Sequence, residues 1–158
     1  MMYVLQVRSG YEISVCKKLE KQGFQAILPV RQEFIRRGGI WKIYEKIIFT
    51  QYVFLRSEIT EENYYQIRKI DGVVQFLGYN QPLNHAEQSY IEWLWNSGKP
   101  IEPSKIYVTP SGDKLIISGI LRKYSGDEIE YNLRQRKANI FIEIAGFKHK
   151  ITLPVVRI

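Results

Sequence analysis

A chain of 158 residues with 45% hydrophobic content can form one compact domain or two small ones, and that content excludes an intrinsically disordered chain. Twenty-three Lys and Arg against 16 Asp and Glu give a net charge of +7, which favours polyanionic partners. The single cysteine excludes an internal disulfide, and no apolar run reaches the ~18 residues of a membrane span, so the expectation is a cytoplasmic chain with no membrane contact. The positive charge is not a tail: residues 1–100 carry 13 basic against 10 acidic side chains, and residues 101–158 carry 10 against 6.

Tyr3 to Val7 forms the first predicted strand. Ser9-Gly10-Tyr11-Glu12 follows with the spacing of a capping box, in which Ser9 would cap a helix running to about Gln22 and stopped by Gly23. Ile13, Cys16 and Leu19, helped by Val15, make its expected buried stripe, with Ser14, Lys17, Lys18 and Lys21 on the solvated side. Phe24 to Val30 is a second strand. Residues 31–46 are polar and basic around Gly38-Gly39, the composition of a long hairpin or mobile loop. Tyr52 to Leu55 is a third strand, and Thr60 opens a second helix with Tyr64, Ile67 and Ile70 on its apolar side and Gly72 at its end. Val73 to Phe76 is a fourth strand. A third helix starts from an Asn84 cap, with Glu87 at the capping-box position, and runs through Ile91 and Leu94 toward Gly98.

That order predicts an α+β, ferredoxin-like (split βαβ) domain over residues 1–98 with one helix added. Residues 99–105, with Pro100 and Pro103, form the expected linker. Residues 106–158 read as a small all-β barrel, with Gly112 and Gly126 at turns. Ala138, Ile140, Ile142 and Ile144 alternate with Asn139, Phe141 and Glu143. This β-branched alternation argues against a helical form of the second half.

Residues 112–142 resemble a KOW (SH3-like) domain, and four upstream pieces resemble the NusG family of transcription elongation factors in the same order. They are Met2-Tyr3-Val4-Leu5-Gln6-Val7, Ser9-Gly10-Tyr11-Glu12, Phe49-Thr50-Gln51-Tyr52-Val53-Phe54-Leu55, and Gly72-Val73-Val74-Gln75-Phe76-Leu77-Gly78 with Pro82-Leu83 after it. The resemblance implies a NusG N-terminal domain that docks on the clamp of a bacterial RNA polymerase and helps it elongate without pausing or terminating. It also implies a monomer. Phe49, Tyr52 and Phe54, with Gln6 and Tyr3 on the first strand, are the docking candidates, because aromatic rings supply large contact area at low entropic cost. The residues alone leave the competing assignment open: alternating strand aromatics are ordinary core.

Three departures bear on the branch of the family. Thr50-Gln51 replaces the family's Pro-Gly, Met2 replaces its leading Trp, and Ile144-Ala145-Gly146-Phe147 replaces the Ile-Phe-Gly-Arg turn that the housekeeping factor uses with termination-factor and ribosomal partners. The housekeeping factor's Gly-Pro-Phe turn is likewise Gly119-Ile120-Leu121 here. These changes put Rho binding in doubt. The basic turn before Ala138 resembles the specialised antitermination paralogues, which are recruited by a nucleic-acid element such as an RNA hairpin in an operon leader.

A recruiting surface needs cations. Arg8, Lys17, Lys18 and Lys21, extended by Arg68 and Lys69, form one candidate, with Tyr11 as a stacking partner for an exposed base. Arg134, Arg136 and Lys137 form a second patch. A solvated helix face and a charged turn are the plain alternatives to both.

No arrangement points to catalysis. Cys16 suits a small buried hydrophobe, and His85 and His149 fall in different predicted domains without zinc spacing. Asp71, Glu87 and Glu92 are explained by turn and helix positions, and no Walker-type glycine loop is present. The expectation is a non-enzymatic chain with no cofactor or metal. The rivals are the housekeeping elongation factor and, from another class, a ribosome- or RNA-binding KOW module with no polymerase contact.

Overall fold

The computed structural model describes residues 1–124 and 128–158. The chain divides into two compact units. The first comprises Met1–Pro29, Phe49–Gly98 and Glu143–Phe147; the second comprises Val30–Ile48, Lys99–Ile142 and Lys148–Ile158.

The first unit is built on a four-stranded antiparallel sheet in the order β2-β5-β1-β6, from β1 (Met2–Val7), β2 (Gln25–Ile27), β5 (Tyr52–Arg56) and β6 (Val73–Phe76). Tyr3 pairs with Leu55 and Leu5 with Val53, so these side chains share one face of the sheet. Helix α1 (Glu12–Lys21) and helix α2 (Glu61–Arg68) add Val15, Leu19 and Ile67 to that core, with Ile70 just beyond α2. Burying each aliphatic side chain contributes ~1.5–3 kcal/mol. The opposite face holds Met2, Val4, Ile27 and Phe54, all buried as well.

Capping explains two of the three helices. Thr60 and Asn63 make a reciprocal capping box at α2, and Asn84 and Glu87 make one at α3 (His85–Trp95), where Ile91 and Leu94 are buried. The start of α1 differs from expectation. Tyr11, not Ser9, occupies the cap, and no side chain caps it. Instead the Glu12 carboxylate reaches back to accept the Gly10 N–H through Oε1 (2.7 Å) and the Gln51 N–H through Oε2 (3.5 Å). Drawing Glu12 inward turns the helix so that Glu12, Val15 and Leu19 face the core, and Ile13 is left 55% exposed rather than buried.

In the second unit, β3 (Val30–Arg37) and β4 (Ile40–Ile47) form a hairpin in continuous register from Val30↔Ile47 to Arg37↔Ile40. The stretch is thus an ordered hairpin, not a mobile loop. Gly38 and Gly39 both have positive φ (58° and 77°), as a two-residue turn matched to strand twist demands. Ile101, in the segment expected as linker, is buried and joins the hairpin: its N–H donates to the Val30 carbonyl (2.9 Å) and its carbonyl accepts the Gln32 N–H (2.8 Å).

The second half of the chain carries a five-stranded sheet, β8-β7-β11-β10-β9, from β7 (Ser104–Val108), β8 (Lys114–Ser118), β9 (Glu130–Asn132), β10 (Lys137–Ile144) and β11 (Phe147–Arg157). β7 and β11 run parallel, while β7–β8 and β9–β10 are antiparallel. Ala138, Ile140, Ile142 and Ile144 are buried, as their alternation predicts. The described residues from Ser104 onward form strands and one short 3-10 turn (Ile120–Lys123). The turn expected at Gly126 lies outside the described residues.

Candidate functional site

A cluster of cations and aromatic rings lies in the second unit, where the β3–β4 hairpin meets the β9–β10 turn. The turn is closed by the Arg136 N–H donating to the Leu133 carbonyl (3.2 Å) and by the Gln135 N–H donating to Asn132 Oδ1 (3.2 Å). The Arg136 guanidinium lies 4.5 Å from the centroid of the Trp41 ring and 5.0 Å from that of Phe34. Phe34 and Trp41 meet edge to face at 6.3 Å, and Arg36 approaches the same indole at 6.0 Å. Beside these rings is an open cleft of about 380 Å³, with Phe34, Arg36, Trp41, Arg134, Gln135 and Lys137 in its wall. Glu33 is compensated twice, by Arg31 (3.4 Å) and by Lys137 (3.8 Å).

Of the second predicted patch, Arg134 is exposed and contributes to the cleft, Lys137 is half-buried in its wall, and Arg136 is committed to the rings. The hairpin residues that complete the cluster, Arg36 and Trp41, did not emerge from the sequence. A Trp flanked by Arg36-Arg37 and Lys42 in a polar hairpin was the available signal.

The first predicted patch is on the first unit. Lys17 and Lys21 are exposed one turn apart on α1, and Lys18 is half-buried. Arg8 lies 5.9 Å from the Tyr11 ring and 4.0 Å from the Asp71 carboxylate, an exposed pair in which water screens most of the attraction. Tyr11 is held against Gly72, where a Cβ would fall 2.5 Å from the tyrosine Cδ1. Arg68 folds back on Tyr64, donating to its hydroxyl (3.0 Å), and Lys69 is exposed at the end of α2.

The docking candidates divide between faces. Phe49, Tyr52 and Phe54 form an aromatic trio with centroids 5.2–6.5 Å apart. Gln6 pairs in register with Tyr52, whereas Tyr3 points to the helix-covered face and meets Phe76 edge to face at 6.0 Å. Phe54 is 0% exposed, and Phe49 and Tyr3 are also buried; Tyr52 and Gln6 are half-buried. Of the expected apolar patch, only Tyr52 and Gln6 therefore keep partial exposure in this conformation. Partial burial also raises the Tyr52 phenol above its ordinary pKa.

Burial pushes the Cys16 thiol up to about 12, with the Glu20 and Glu12 carboxylates adding to the effect, so the thiolate is disfavoured. Among the described residues no group of three His, Cys, Asp or Glu side chains is placed to hold a metal ion. Among the same residues no helix is long and apolar enough to cross a membrane.

The chain thus combines a mixed α/β unit with a β-sheet that follows it along the sequence. Residues 2–92 match the family model described as transcription termination factor NusG, and the chain belongs to the NusG family. The transcription termination/antitermination protein NusG of Bacillus subtilis is 25% identical over 171 aligned positions, covering 99% of this chain and 96% of the relative. The protein of the same name from Chlamydia trachomatis is 34% identical over 95 positions, 54% of this chain and 52% of the relative. A solved structure of Thermotoga maritima NusG, described by its domain interaction, shares the fold with a TM-score of 0.60 at 23% identity, covering 97% of this chain and 92% of that one.

Proposed function

We propose that this protein is a specialised NusG-type processive antitermination and elongation factor, most like the paralogue LoaP. It docks on the clamp of bacterial RNA polymerase and is recruited by a nucleic-acid element, an RNA hairpin in the leader of its target operons. Residues 1–98 serve as a ferredoxin-like NusG N-terminal domain, 99–105 as the linker and 106–158 as a KOW domain. The sheet order β6-β1-β5-β2 supports the split βαβ assignment. Polymerase contact is assigned to Tyr52 and Gln6 with Phe49 and Phe54 behind them.

The observation that carries the specialised assignment is the β10–β11 turn. Ile144-Ala145-Gly146-Phe147 lacks both the Phe and the Arg of the housekeeping turn, and Phe147 stands 55% exposed where that Arg would be. Loss of those side chains puts Rho binding in doubt, while a ribosomal protein stays a candidate partner of the KOW domain. The abundant cations supply the alternative means of recruitment.

Single-round transcription by a bacterial RNA polymerase through intrinsic terminators tests this. Readthrough that requires the leader of the operon nearest the gene is the expected result, whereas equal effects on an unrelated leader would assign a general elongation factor. That second assignment is favoured by the name transcription termination/antitermination protein NusG, shared by the relatives from Bacillus subtilis and Chlamydia trachomatis. No effect on either leader would favour a ribosome-linked KOW module.

A further inference from the structure

The two segments that meet at the second unit's cleft are unusual in charge. Residues 31–46 and 130–137 together hold eight basic and three acidic side chains, a net of +5 out of the chain's +7. Charge alone would suit any polyanion. The cleft adds what charge does not: aromatic walls, three cations in Arg36, Arg134 and Lys137, and the Gln135 amide, with a volume in the range of small-ligand sites.

Arg136 does not line this cleft. It packs on the Trp41 ring instead, and its backbone is fixed from β11 by the Val155 N–H donating to its carbonyl (3.1 Å). An indole held by a guanidinium is a preorganised platform, and Trp41 remains only half-buried. The acidic side chain nearest the cleft's cations, Glu33, is already compensated by Arg31 and Lys137, so it does not repel an incoming phosphate strongly.

We propose that this cleft seats an unpaired nucleotide of single-stranded RNA, its base stacked against Trp41 and its phosphates on Arg36, Arg134 and Lys137. The proposal rests on the recruitment by RNA put forward above and locates where an unpaired loop base is held. A π-face is available for stacking only on a base free of its own neighbours, so the cleft discriminates single strand from duplex. Gln135 is placed to hydrogen-bond a base edge.

The test uses the full chain carrying Trp93→Phe and Trp95→Phe, so that Trp41 is the sole indole. Binding of a labelled oligouridylate is followed by anisotropy and by Trp41 quenching. The expected results are quenching on binding, weaker binding of the same RNA annealed to its complement, and a loss of roughly 5- to 150-fold in the anisotropy titration for Trp41→Ala. Arg134→Ala, on an exposed turn where the fold is not at risk, should flatten the logarithmic salt dependence by about 0.7. Undiminished affinity in either variant would overturn the proposal, as would equal binding of the duplex or equal quenching by polyglutamate. An oligodeoxythymidylate held as tightly would overturn the assignment to RNA. Leader-independent elongation with Trp41-dependent RNA binding intact would overturn recruitment and spare the cleft. Leader-dependent readthrough that survives both Trp41→Ala and Arg134→Ala would do the reverse.

Discussion

Arg136 lies over Trp41 with its guanidinium carbon 4.5 Å from the ring centroid, and it does so from a backbone with φ of +57°. A long side chain tolerates the left-handed region poorly. Its persistence here follows from the closed β9–β10 turn and from the β11 hydrogen bond that holds the Arg136 carbonyl.

Arg136→Ala should therefore loosen the hairpin without unfolding the sheet. The expected cost is about 0.5–2 kcal/mol from the lost cation–π contact, read by urea denaturation. In a chain whose only indole is Trp41, its emission should also shift to the red as water reaches the ring. An unshifted spectrum would show that Arg136 does not shield the indole.

Glu12 is 5% exposed, and its carboxylate ties the start of α1 to Gln51, just ahead of β5. Glu12→Ala leaves the Gly10 and Gln51 N–H groups without that acceptor, at about 1–3 kcal/mol. Glu12→Gln keeps one acceptor oxygen and should cost less. Equal midpoints for the two variants would assign the effect to packing rather than to hydrogen bonding.

Charge reversal of Lys17, Lys18 and Lys21 to Glu should weaken RNA-hairpin affinity by more than tenfold in low salt, with a smaller penalty in high salt. The melting temperature should stay within a few degrees, since Lys17 and Lys21 are exposed. An unchanged affinity would remove α1 from the recruiting surface.

Phe54 and Tyr52 separate core from docking. Phe54→Ala empties a fully buried site and should cost about 3–5 kcal/mol, so loss of its transcriptional effect is uninformative without a melting curve. Tyr52→Ala, at a half-buried position, should leave the fold largely intact while reducing polymerase association in a pull-down. Full retention of polymerase by that variant would exclude Tyr52 from the docking face.

Cys16 sets an alkaline signature. Its folded pKa of about 12 stands above the ordinary 9.0, so between these values the unfolded chain releases a proton that the folded chain keeps. The associated stability is complete below pH 9 and falls as pH rises toward 12. Cys16→Ala should flatten that decline relative to the parent, and the native thiol should react with Ellman's reagent far more slowly than the urea-unfolded one.

Local rules make much of this fold legible. Thr60-Asn63 and Asn84-Glu87 cap helices because their partners lie three residues away, and the alternation at 138–144 describes one strand with one buried face. The start of α1 escapes those rules because Ser9-Gly10-Tyr11-Glu12 satisfies a local motif, whereas Glu12 obtains a more distant donor from Gln51. The same inward turn explains why Ile13 is exposed. Phe54 fits the period of a docking strand and of a core strand equally, and only its complete burial in the folded chain distinguishes them. Arg134 and Lys137 are identifiable as a charged turn, but their partner Trp41 lies far away along the chain. No periodicity connects two such segments.

The position of β11 between β7 and β10 has a consequence in time. A ribosome has made every strand of the first sheet once Phe76 emerges, but the second sheet lacks its middle until residues through Arg157 are available. At the ~5–20 residues per second of protein synthesis, that interval lasts several seconds. In its later part, once Ser118 has been made, β7 and β8 exist only as a hairpin, with the β7 edge that later receives Val155–Arg157 unpaired. Nascent chains stalled before Val155 should therefore be the forms most exposed to proteases and chaperones.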